Sequence, residues 1–368
     1  MRIGVPKEIK RHEYRVAVTP HGARSFISHG HSVTVQSGAG IGSGYSDDEY
    51  VKYGAEIVDT AEDVFSAADM IIKVKEPLPE EYGYFREGQI LYTYLHLAAV
   101  PQLARALMER GVSAVAYETI ELPDKSLPCL TPMSEIAGRL SVQEGAKYLE
   151  KEFGGRGILL GGVPGVPRGN VGIIGGGVVG TNACKIAAGI GANVTVLDIN
   201  ARKLAYLDDI FGSRITTLYA TESNIEMILQ EADIIIGAVL LPGATAPKII
   251  KREHIEMMKT GAVLVDVAID QGGCSDTSVP TTHDEPIYLV DGVVHYCVAN
   301  MPGAVAYSST LALTSVTLNY GLVIADLGLE EAARTHEPIK KGINILNHSC
   351  VHPAVAESCD LPYTEYNP

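Results

Sequence analysis

The chain has 368 residues, of which 46% are hydrophobic and 20% are charged, and its mean hydropathy is +0.12. At roughly 100–200 residues per domain, this length predicts about two domains that each bury a full core, and the composition excludes an intrinsically disordered chain. The net charge of −15 argues against nucleic-acid binding, because an acidic surface repels the phosphate backbone.

The cellular compartment is predicted from the cysteines, from the N-terminus and from one long uncharged segment. Six cysteines occur without a Cys-x-x-Cys pair, and a chain of this length does not need disulfides, so we expect reduced thiols in a cytoplasm. The N-terminus is charged within its first eight residues, which predicts no signal peptide. Residues 292–325 carry no Asp, Glu, Lys or Arg, but repeated Ser and Thr favour a helix buried between protein layers over a membrane span.

The first third of the chain alternates short apolar runs with helix-like segments. The apolar runs predict strands at residues 3–5, 32–35, 57–58, 70–74, 90–94 and 113–116. The segments between them predict helices at residues 20–30, 47–53, 60–66 and 101–110. This alternation predicts an α/β fold with a mostly parallel sheet and helices on both faces.

The rest of the chain predicts a second unit of the same class. Residues 121–131 read as a linker with two prolines, residues 132–153 as a long helix, and residues 154–169 as a glycine-rich loop. A second alternating unit runs from residue 171 to about residue 301. We expect the remainder to be helical with a polar tail.

A glycine-rich turn in the second unit matches the dinucleotide-binding fingerprint. Gly175, Gly177 and Gly180 follow an apolar run, precede the helix candidate Val178–Ile190, and are followed by a strand that ends at Asp198. The glycines allow a tight turn, close approach of a pyrophosphate and close helix packing, and the carboxylate can bind ribose hydroxyls. A purely structural glycine turn is the alternative, but the whole strand–helix–strand–acid order favours dinucleotide binding. The acid favours NAD over NADP.

Polar residues at other strand ends are further candidates, because ligands bind at the carboxyl ends of parallel strands. The apolar run at 263–266 is followed by Asp270, which is either a catalytic carboxylate or a turn residue. Asp266, inside that run, is either a core carboxylate or a helix cap. His96 ends a strand in the first unit, where a structural role is the commoner reading of a lone histidine.

Two lysines and one arginine are the remaining candidate functional residues. Period-2 alternation places Lys73 and Lys75 on one face of the strand at 70–74, with Lys75 at its end. Arg15 can clamp a carboxylate with two hydrogen bonds, although isolated arginines are usually solvated.

Several segments spread over the whole chain strongly resemble alanine dehydrogenases, in the alanine dehydrogenase and transhydrogenase alpha-subunit family. They are MRIGVPKEIK (1–10), EYRVAVTP (13–20), IKVKEP (72–77), YLHLA (94–98), LTPMS (130–134), LGGVPGV (160–166), DVAIDQGG (266–273) and VANMP (298–302). The resemblance implies two Rossmann-like, doubly wound domains. The NAD-binding domain, residues 131–302, is inserted into a discontinuous substrate domain formed by residues 1–130 and 303–368.

The resemblance also implies an activity. This is the NAD-dependent, reversible oxidative deamination of L-alanine to pyruvate and ammonia by a cytoplasmic homohexamer that has no membrane or nucleic-acid partner. It implies that Arg15, Lys75 and Asn300 bind the substrate, and that His96 and Asp270 are the catalytic acid/base groups. The implied cofactor contacts are Ser134, Gly175, Gly177, Val178, Val179, Gly180, Asp198, Lys203, Val239, Leu240, Val267, Ala268, Ile269, Asp270, Val298, Ala299, Asn300 and Met301.

The chain departs from some members of the family at four positions. Ala220 and Val279 stand where some members have Ser and Arg, so the cofactor contacts made there do not carry over. Val323 and Leu327 stand where some members have the Glu and His of a divalent-ion site, so we predict no metal.

Two other functions remain as alternatives. One is an NAD(H)-binding subunit of a transhydrogenase-type complex, a group that typically has Gln where this chain has Asp270. The other is an NAD-binding sensor without activity, against which the presence of Arg15, Lys75, His96 and Asp270 argues.

Overall fold

The computed structural model describes residues 1–239 and 246–368. The described chain divides into two compact units, one formed by Met1–Met133 with Gly303–Pro368 and the other by Ser134–Pro302. Each has a predominantly parallel sheet, which confirms the predicted α/β fold class.

The strands in chain order are β1 (Arg2–Val5), β2 (Ser32–Gln36), β3 (Glu56–Val58), β4 (Met70–Ile72), β5 (Ile90–Thr93), β6 (Ser113–Ala116), β7 (Asn170–Ile174), β8 (Asn193–Asp198), β9 (Ile215–Tyr219), β10 (Ile234–Gly237), β11 (Val263–Asp266), β12 (Ile287–Val290), β13 (Val293–Tyr296), β14 (Ile343–Leu346) and β15 (Ser349–Cys350). The α-helices are α1 (Pro20–Ser28), α2 (Asp47–Lys52), α3 (Ala61–Ala67), α4 (Pro101–Glu109), α5 (Thr131–Tyr148), α6 (Val178–Ile190), α7 (Ala201–Phe211), α8 (Glu222–Glu231), α9 (Arg252–Met257), α10 (Ala306–Leu327), α11 (Leu329–Thr335), α12 (Glu337–Gly342) and α13 (Pro353–Cys359).

The first unit has one sheet in the order β15-β14-β6-β5-β4-β1-β2-β3, and β1 to β6 within it are parallel. The last two strands are a hairpin that pairs antiparallel with β6. The prediction of an entirely helical C-terminal region is therefore wrong at β14 and β15. These strands are only four and two residues long, too short for a clear alternating pattern, and pairing with β6 stabilises them.

Helices cover both faces of this first sheet. On one face, α3, α4 and α13 bury apolar side chains against Leu91, Ala114 and Ile345. On the other, α10 accepts hydrogen bonds through a backbone carbonyl and a hydroxyl: Tyr92 Oη donates to Thr317 O (3.0 Å), and Val16 N donates to Thr310 Oγ1 (3.1 Å). The polar residues of this apolar helix thus bind strand and loop groups inside the unit.

Helix α10 is only partly buried, which corrects the expectation of a helix enclosed between protein layers. A segment that contains it, Met301–Leu327, is long and apolar enough to cross a membrane by length and composition, and 39% of its most apolar window is buried. Tyr307 and Leu311 on its outer face are 57% and 44% exposed. One face of α10 belongs to the core of the first unit, and the other is a largely uncharged surface.

The second unit has a sheet in the order β12-β13-β11-β10-β7-β8-β9, in which only the β12–β13 hairpin is antiparallel among the described strands. Chain order reverses beside β7, so β8 and β10 flank it on opposite sides. In doubly wound folds such a switch point opens a crevice at the carboxyl ends of the strands. The glycine-rich turn follows β7 and therefore lies at this position.

Several predicted elements end one to five residues early, and two of them bear on the candidate residues or on the domain organisation. The strand predicted at 70–74 ends at Ile72, so the alternation argument for Lys73 and Lys75 does not apply beyond it. The helix predicted at 132–153 is α5, which ends at Tyr148 and is followed by a separate 3₁₀ turn, Lys151–Phe153.

Candidate substrate-binding and cofactor-binding residues

Arg15 lies on the loop after β1 and is 2% exposed. Its Nε and Nη2 donate to the two carboxylate oxygens of Glu13 at 2.6 and 2.5 Å, and Nη1 lies 3.1 Å from Met133 Sδ. Burial opposes the charge of Arg15, but Glu13 outweighs it and raises the arginine pKa above its ordinary value. Arg15 is therefore a buried, oriented cation rather than the solvated side chain that the sequence left as an alternative.

Lys73 is a structural cation. Its Nζ lies 2.8 Å from Glu81 Oε1 and 3.2 Å from Glu8 Oε2, and all three side chains are buried. Burial opposes the charge of Lys73, but the two carboxylates outweigh it and raise the lysine pKa. A fully buried cation neutralised by two carboxylates fits a structural role better than contact with a substrate that comes and goes.

Lys75 differs from Lys73 in that its backbone forms hydrogen bonds with neighbouring side chains. Glu8 Oε1 accepts hydrogen bonds from Val74 N (2.6 Å) and Lys75 N (3.3 Å), and Lys75 O accepts one from Thr93 Oγ1 (3.0 Å). These bonds fix the chain just after β4 while the Lys75 side chain stays partly exposed. The same carboxylate, Glu8, thus neutralises Lys73 and holds Lys75 in place.

His96 follows β5 with an unusual backbone, φ 47° and ψ 36°, which is uncommon outside glycine and asparagine. Glu118 supports it by accepting from His96 N at 2.7 Å and from Leu95 N at 3.0 Å. The ring Nδ1 lies 3.0 Å from Glu76 Oε2, and the ring stacks on Tyr94 with centroids 5.9 Å apart. Such a strained conformation held by dedicated partners favours a functional over a purely structural histidine.

Three carboxylates of this group were not predicted from the sequence: Glu13, Glu76 and Glu118. Glu76 directly follows Lys75, but charged residues beside a strand end are usually solvated, and nothing local indicates burial. The partners of His96 lie 20 and 22 residues away in the chain, so only the folded sheet brings them together.

The glycine-rich turn in the second unit has the shape expected of a pyrophosphate cradle. Gly175 has φ +108°, and a Cβ there would lie 2.5 Å from Ala238 O. A Cβ on Gly180 would lie 1.8 Å from Gly175 O, so α6 packs directly on the turn. Among the described residues, the nearest atom to a Cβ on Gly177 would be Lys203 Nζ, at 4.0 Å, so these residues leave space at the N-terminus of α6.

Asp198 ends β8 beside this turn and is 7% exposed. Its carboxylate accepts from Gly176 N and Asn200 N, both at 2.7 Å, and Lys203 Nζ lies 3.5 Å away. The residue predicted to bind ribose therefore also braces the glycine-rich turn, a role that the sequence did not reveal.

Asp266 ends β11 and caps a short 3₁₀ segment, Val267–Gln271, that contains Asp270. Asp266 is fully buried and accepts from Ala268 N (3.1 Å), Cys274 N (2.8 Å) and Ser278 Oγ (2.5 Å). It is both a core carboxylate and a cap, so the two alternatives left by the sequence are both realised. The cap fixes the turn that carries Asp270, whose side chain is exposed.

The other predicted cofactor residues of this unit also follow parallel strands. Val239 follows β10, and Val267, Ala268 and Ile269 belong to the turn after β11. Residues 298–301 follow β13, where Thr281 N donates to Cys297 O and Ala299 N donates to Thr281 O. Asn300 has φ +61°. Ser134 lies in the first turns of α5, and Leu240 is outside the described residues.

The close contact at Gly180 gives a stability prediction. Gly180→Ala is expected to lower the free energy of unfolding by about 2–3 kcal/mol, since the new methyl meets the backbone oxygen of Gly175. Gly189→Ala on the same helix is the matched control: no atom lies within 4 Å of its Cβ position, and alanine favours a helix by about 1 kcal/mol over glycine. Urea denaturation of both variants measures the difference, and equal stabilities would contradict the packing described.

Comparison with known proteins places the chain in a family. The model of the N-terminal domain of alanine dehydrogenase/PNT matches residues 4–137, and that of the alanine dehydrogenase/PNT C-terminal domain matches residues 141–353. The chain belongs to the alanine dehydrogenase/PNT family. The resemblance stated from the sequence motifs is thereby confirmed.

Within the alanine dehydrogenase/PNT family, two curated relatives match over their full length. "Alanine dehydrogenase" of Methanococcus maripaludis is 57% identical over 365 residues, which are 99% of this chain and 98% of that protein. "Alanine dehydrogenase 2" of Staphylococcus aureus is 52% identical over 364 residues, again 99% and 98% of the two chains.

Two solved structures extend the comparison. An L-alanine dehydrogenase superposes with a TM-score of 0.95 at 53% identity, covering 97% of this chain and 99% of that one. A transhydrogenase from Sinorhizobium meliloti superposes with a TM-score of 0.83 at 24% identity, covering 96% and 100%. At 24% identity, the second likeness shows only that this alanine dehydrogenase/PNT chain has the same fold as that transhydrogenase.

Proposed function

We propose that this chain catalyses the NAD-dependent, reversible oxidative deamination of L-alanine to pyruvate and ammonia. The observation that carries the proposal is its 57% identity, over essentially its full length, to a named alanine dehydrogenase. The geometry agrees with this activity, because the first unit holds cations suited to a small carboxylate and a histidine suited to proton transfer. The second unit holds a dinucleotide cradle.

NAD fits the residues of the second unit. The open space at Gly177 and the N-terminus of α6 suit a pyrophosphate, and Asp198 at the end of β8 suits the adenosine ribose. When bound, NAD accepts the hydride that leaves Cα of alanine. We accordingly assign residues 131–302 to NAD binding and residues 1–130 with 303–368 to the substrate domain.

Substrate binding is assigned to Arg15 and Lys75, with Asn300 as a further contact. Arg15 pairs with the substrate carboxylate through Nη1, the nitrogen that lies against Met133 Sδ. A thioether sulfur is a weak acceptor, so a carboxylate that takes its place forms a stronger, charge-assisted hydrogen bond. Lys75 polarises the carbonyl oxygen of pyruvate and stabilises the oxyanion of the carbinolamine. Together they fix the orientation of Cα, which is the main requirement for transfer of a hydride.

Proton transfer is assigned to His96 and Asp270. Loss of hydride leaves an iminium, which water attacks to give a carbinolamine that breaks down to pyruvate and ammonia. Protons must leave the amine and the water and reach the departing nitrogen. An imidazole and an exposed carboxylate are suited to these steps near neutral pH.

The direct test is formation of NADH from L-alanine and NAD at alkaline pH, followed by ultraviolet absorbance. We expect NADH to accumulate with L-alanine and not in its absence, and the reverse reaction to consume pyruvate, ammonia and NADH. Absence of NADH formation would overturn the proposal. NAD binding without turnover would favour the sensor, and hydride exchange between nicotinamide nucleotides without alanine would favour the transhydrogenase alternative.

Lys75→Ala is expected to weaken pyruvate binding to the enzyme–NADH complex by about 2–3 kcal/mol, the value of a lost charged hydrogen bond. The same loss is expected for Arg15, but Arg15→Ala alone also removes the cation that pairs with the buried carboxylate of Glu13. The double variant Glu13→Gln, Arg15→Met removes both charges and separates binding from folding. Isothermal titration with pyruvate is the measurement, and unchanged affinity in the Lys75 and the double variant would place the substrate elsewhere.

The proposed assembly is a homohexamer in the cytoplasm. The exposed face of α10, with Tyr307, Leu311, Ser315 and Asn319 at successive helical turns, is uncharged and suits contact with another copy of the chain. All six cysteines are free and buried, as in a reducing compartment. Six chains of 39.2 kDa give a mass of about 235 kDa, and light scattering that shows a 39.2 kDa monomer would exclude the hexamer.

A further inference from the structure

Glu76 is bound on both of its oxygens. Its side chain is 6% exposed, its Oε2 lies 3.0 Å from His96 Nδ1, and its Oε1 forms an ion pair with the ammonium group of Lys10. Lys10, in contrast, is 38% exposed. One buried carboxylate is therefore shared between the imidazole of His96 and a cation at the surface.

The charge state of Glu76 determines which ring nitrogen of His96 carries a proton. Burial alone would raise the pKa of Glu76, but the hydrogen bonds and charges of His96 and Lys10 outweigh it and hold that pKa well below its ordinary value. An ionised carboxylate can only accept hydrogen bonds. His96 Nδ1 must therefore donate to it, which leaves Nε2 as the nitrogen that exchanges protons with other groups.

The backbone of His96 is fixed separately, so Glu76 acts on the ring alone. Glu118 accepts from the backbone nitrogens of Leu95 and His96 and holds the left-handed conformation. Among the described residues, the titratable groups around this segment include Glu76 after β4, Lys10 and Tyr82 near Glu76, Glu118 after β6, Tyr94 on the ring face and, through Leu97, Cys359 of α13.

We propose that Glu76 is a positioning residue for His96 and that Lys10 controls how strongly Glu76 stabilises the protonated ring. The inference rests on the proposed function, in which His96 exchanges a proton during turnover. Through its bond to Nδ1, the ionised carboxylate of Glu76 orients the ring and interacts favourably with its charged form. Lys10 withdraws part of that stabilisation by pairing with the same carboxylate.

Two variants are expected to move the pH profile in opposite directions. Glu76→Gln keeps the shape of the side chain but removes its charge, so the pH profile of kcat should move to lower pH and kcat should fall by roughly 10-fold or more. Lys10→Met removes the competing cation, so the pH profile of kcat should move to higher pH. A merely structural role of either residue predicts lower stability and no such opposite displacement.

The remaining variants separate charge from geometry. Glu76→Asp retains the charge on a shorter side chain, so it should lower kcat while the pH profile of kcat stays closer to that of the parent. Asp69→Asn, which removes a surface carboxylate before β4 that pairs with Arg2, is the matched control and should leave the profile unchanged. KM for pyruvate should change less than kcat in the Glu76 variants, because Glu76 does not touch the substrate.

Failure of this inference differs from failure of the proposed function. A parent protein that forms no NADH from alanine contradicts the function. An active parent whose Glu76→Gln and Lys10→Met variants show unmoved pH profiles, or profiles displaced in the same direction, overturns the role of Glu76. Retained pyruvate binding to the enzyme–NADH complex verifies that each variant is folded.

Discussion

Replacing His96 by Ala is expected to lower kcat for alanine oxidation by roughly 10²-fold or more, and Asp270→Asn to do the same, as for loss of a general acid or base. His96→Ala removes the ring that Glu76 orients, whereas NAD binding should persist, since His96 lies in the unit without the glycine-rich turn. Steady-state kinetics give kcat, and fluorescence titration with NADH gives the cofactor affinity.

Asp270→Asn needs its own control, because the residue lies on the turn capped by Asp266 and an effect on the stability of that turn must be separated from an effect on catalysis. Asp276→Asn is suitable: Asp276 is an exposed carboxylate a short distance along the chain, and it accepts from Arg252 N at 3.2 Å. Near-parental kcat in His96→Ala or Asp270→Asn would remove that residue from the mechanism. A parallel loss in Asp276→Asn would assign the effect to folding.

The second large effect concerns the choice of cofactor: NAD is expected to be preferred over NADP by at least about 100-fold in kcat/KM. Asp198 lies at the end of β8 with its carboxylate against the turn. The 2′-phosphate of NADP adds about two negative charges beside it. In a partly desolvated crevice this repulsion costs several kcal/mol, and Lys203, 3.5 Å from Asp198, offsets part of it.

Asp198→Gly is expected to lower kcat/KM with NAD and to narrow the gap to NADP. This variant also removes the acceptor for Gly176 N and Asn200 N, so part of its effect is a loosened turn. Asp198→Asn removes the charge and keeps one of the two acceptor oxygens, so only one of the bonds from Gly176 N and Asn200 N is lost and the turn is disturbed less than in Asp198→Gly. Equal use of both cofactors by the parent, or an unchanged ratio in both variants, would contradict the assignment.

Features encoded by neighbouring residues were predictable from the sequence. The turn at Gly175–Gly180, helix α6 and the acid at the end of β8 form one continuous sequence pattern. The pattern is recognisable because the local geometry of the turn favours glycine at each of these positions. Strand β6 and helix α6 were predicted with the bounds they have. In these segments the local sequence and the tertiary packing favour the same structure.

Features that depend on distant pairing were not predictable. The C-terminal hairpin exists because β14 pairs with β6, which lies more than 200 residues earlier in the chain. Lys73 and Lys75 look equivalent in sequence, yet only the fold shows that Glu8 and Glu81 enclose the first and that Glu8 holds only the backbone of the second. Buried charges of this kind leave no periodic pattern, since their partners come from separate loops.

The pairing of Arg15 with Glu13 bears on how readily the enzyme releases its products. Two nitrogens of the guanidinium are already bound, so its orientation is set before a substrate arrives and little further side-chain freedom is lost on binding. Part of its positive charge is also already neutralised, which lowers its attraction for an incoming carboxylate. A reversible enzyme must let go of alanine in one direction and of pyruvate in the other. A guanidinium that orients both acids strongly but holds them only moderately is compatible with rapid turnover in either direction.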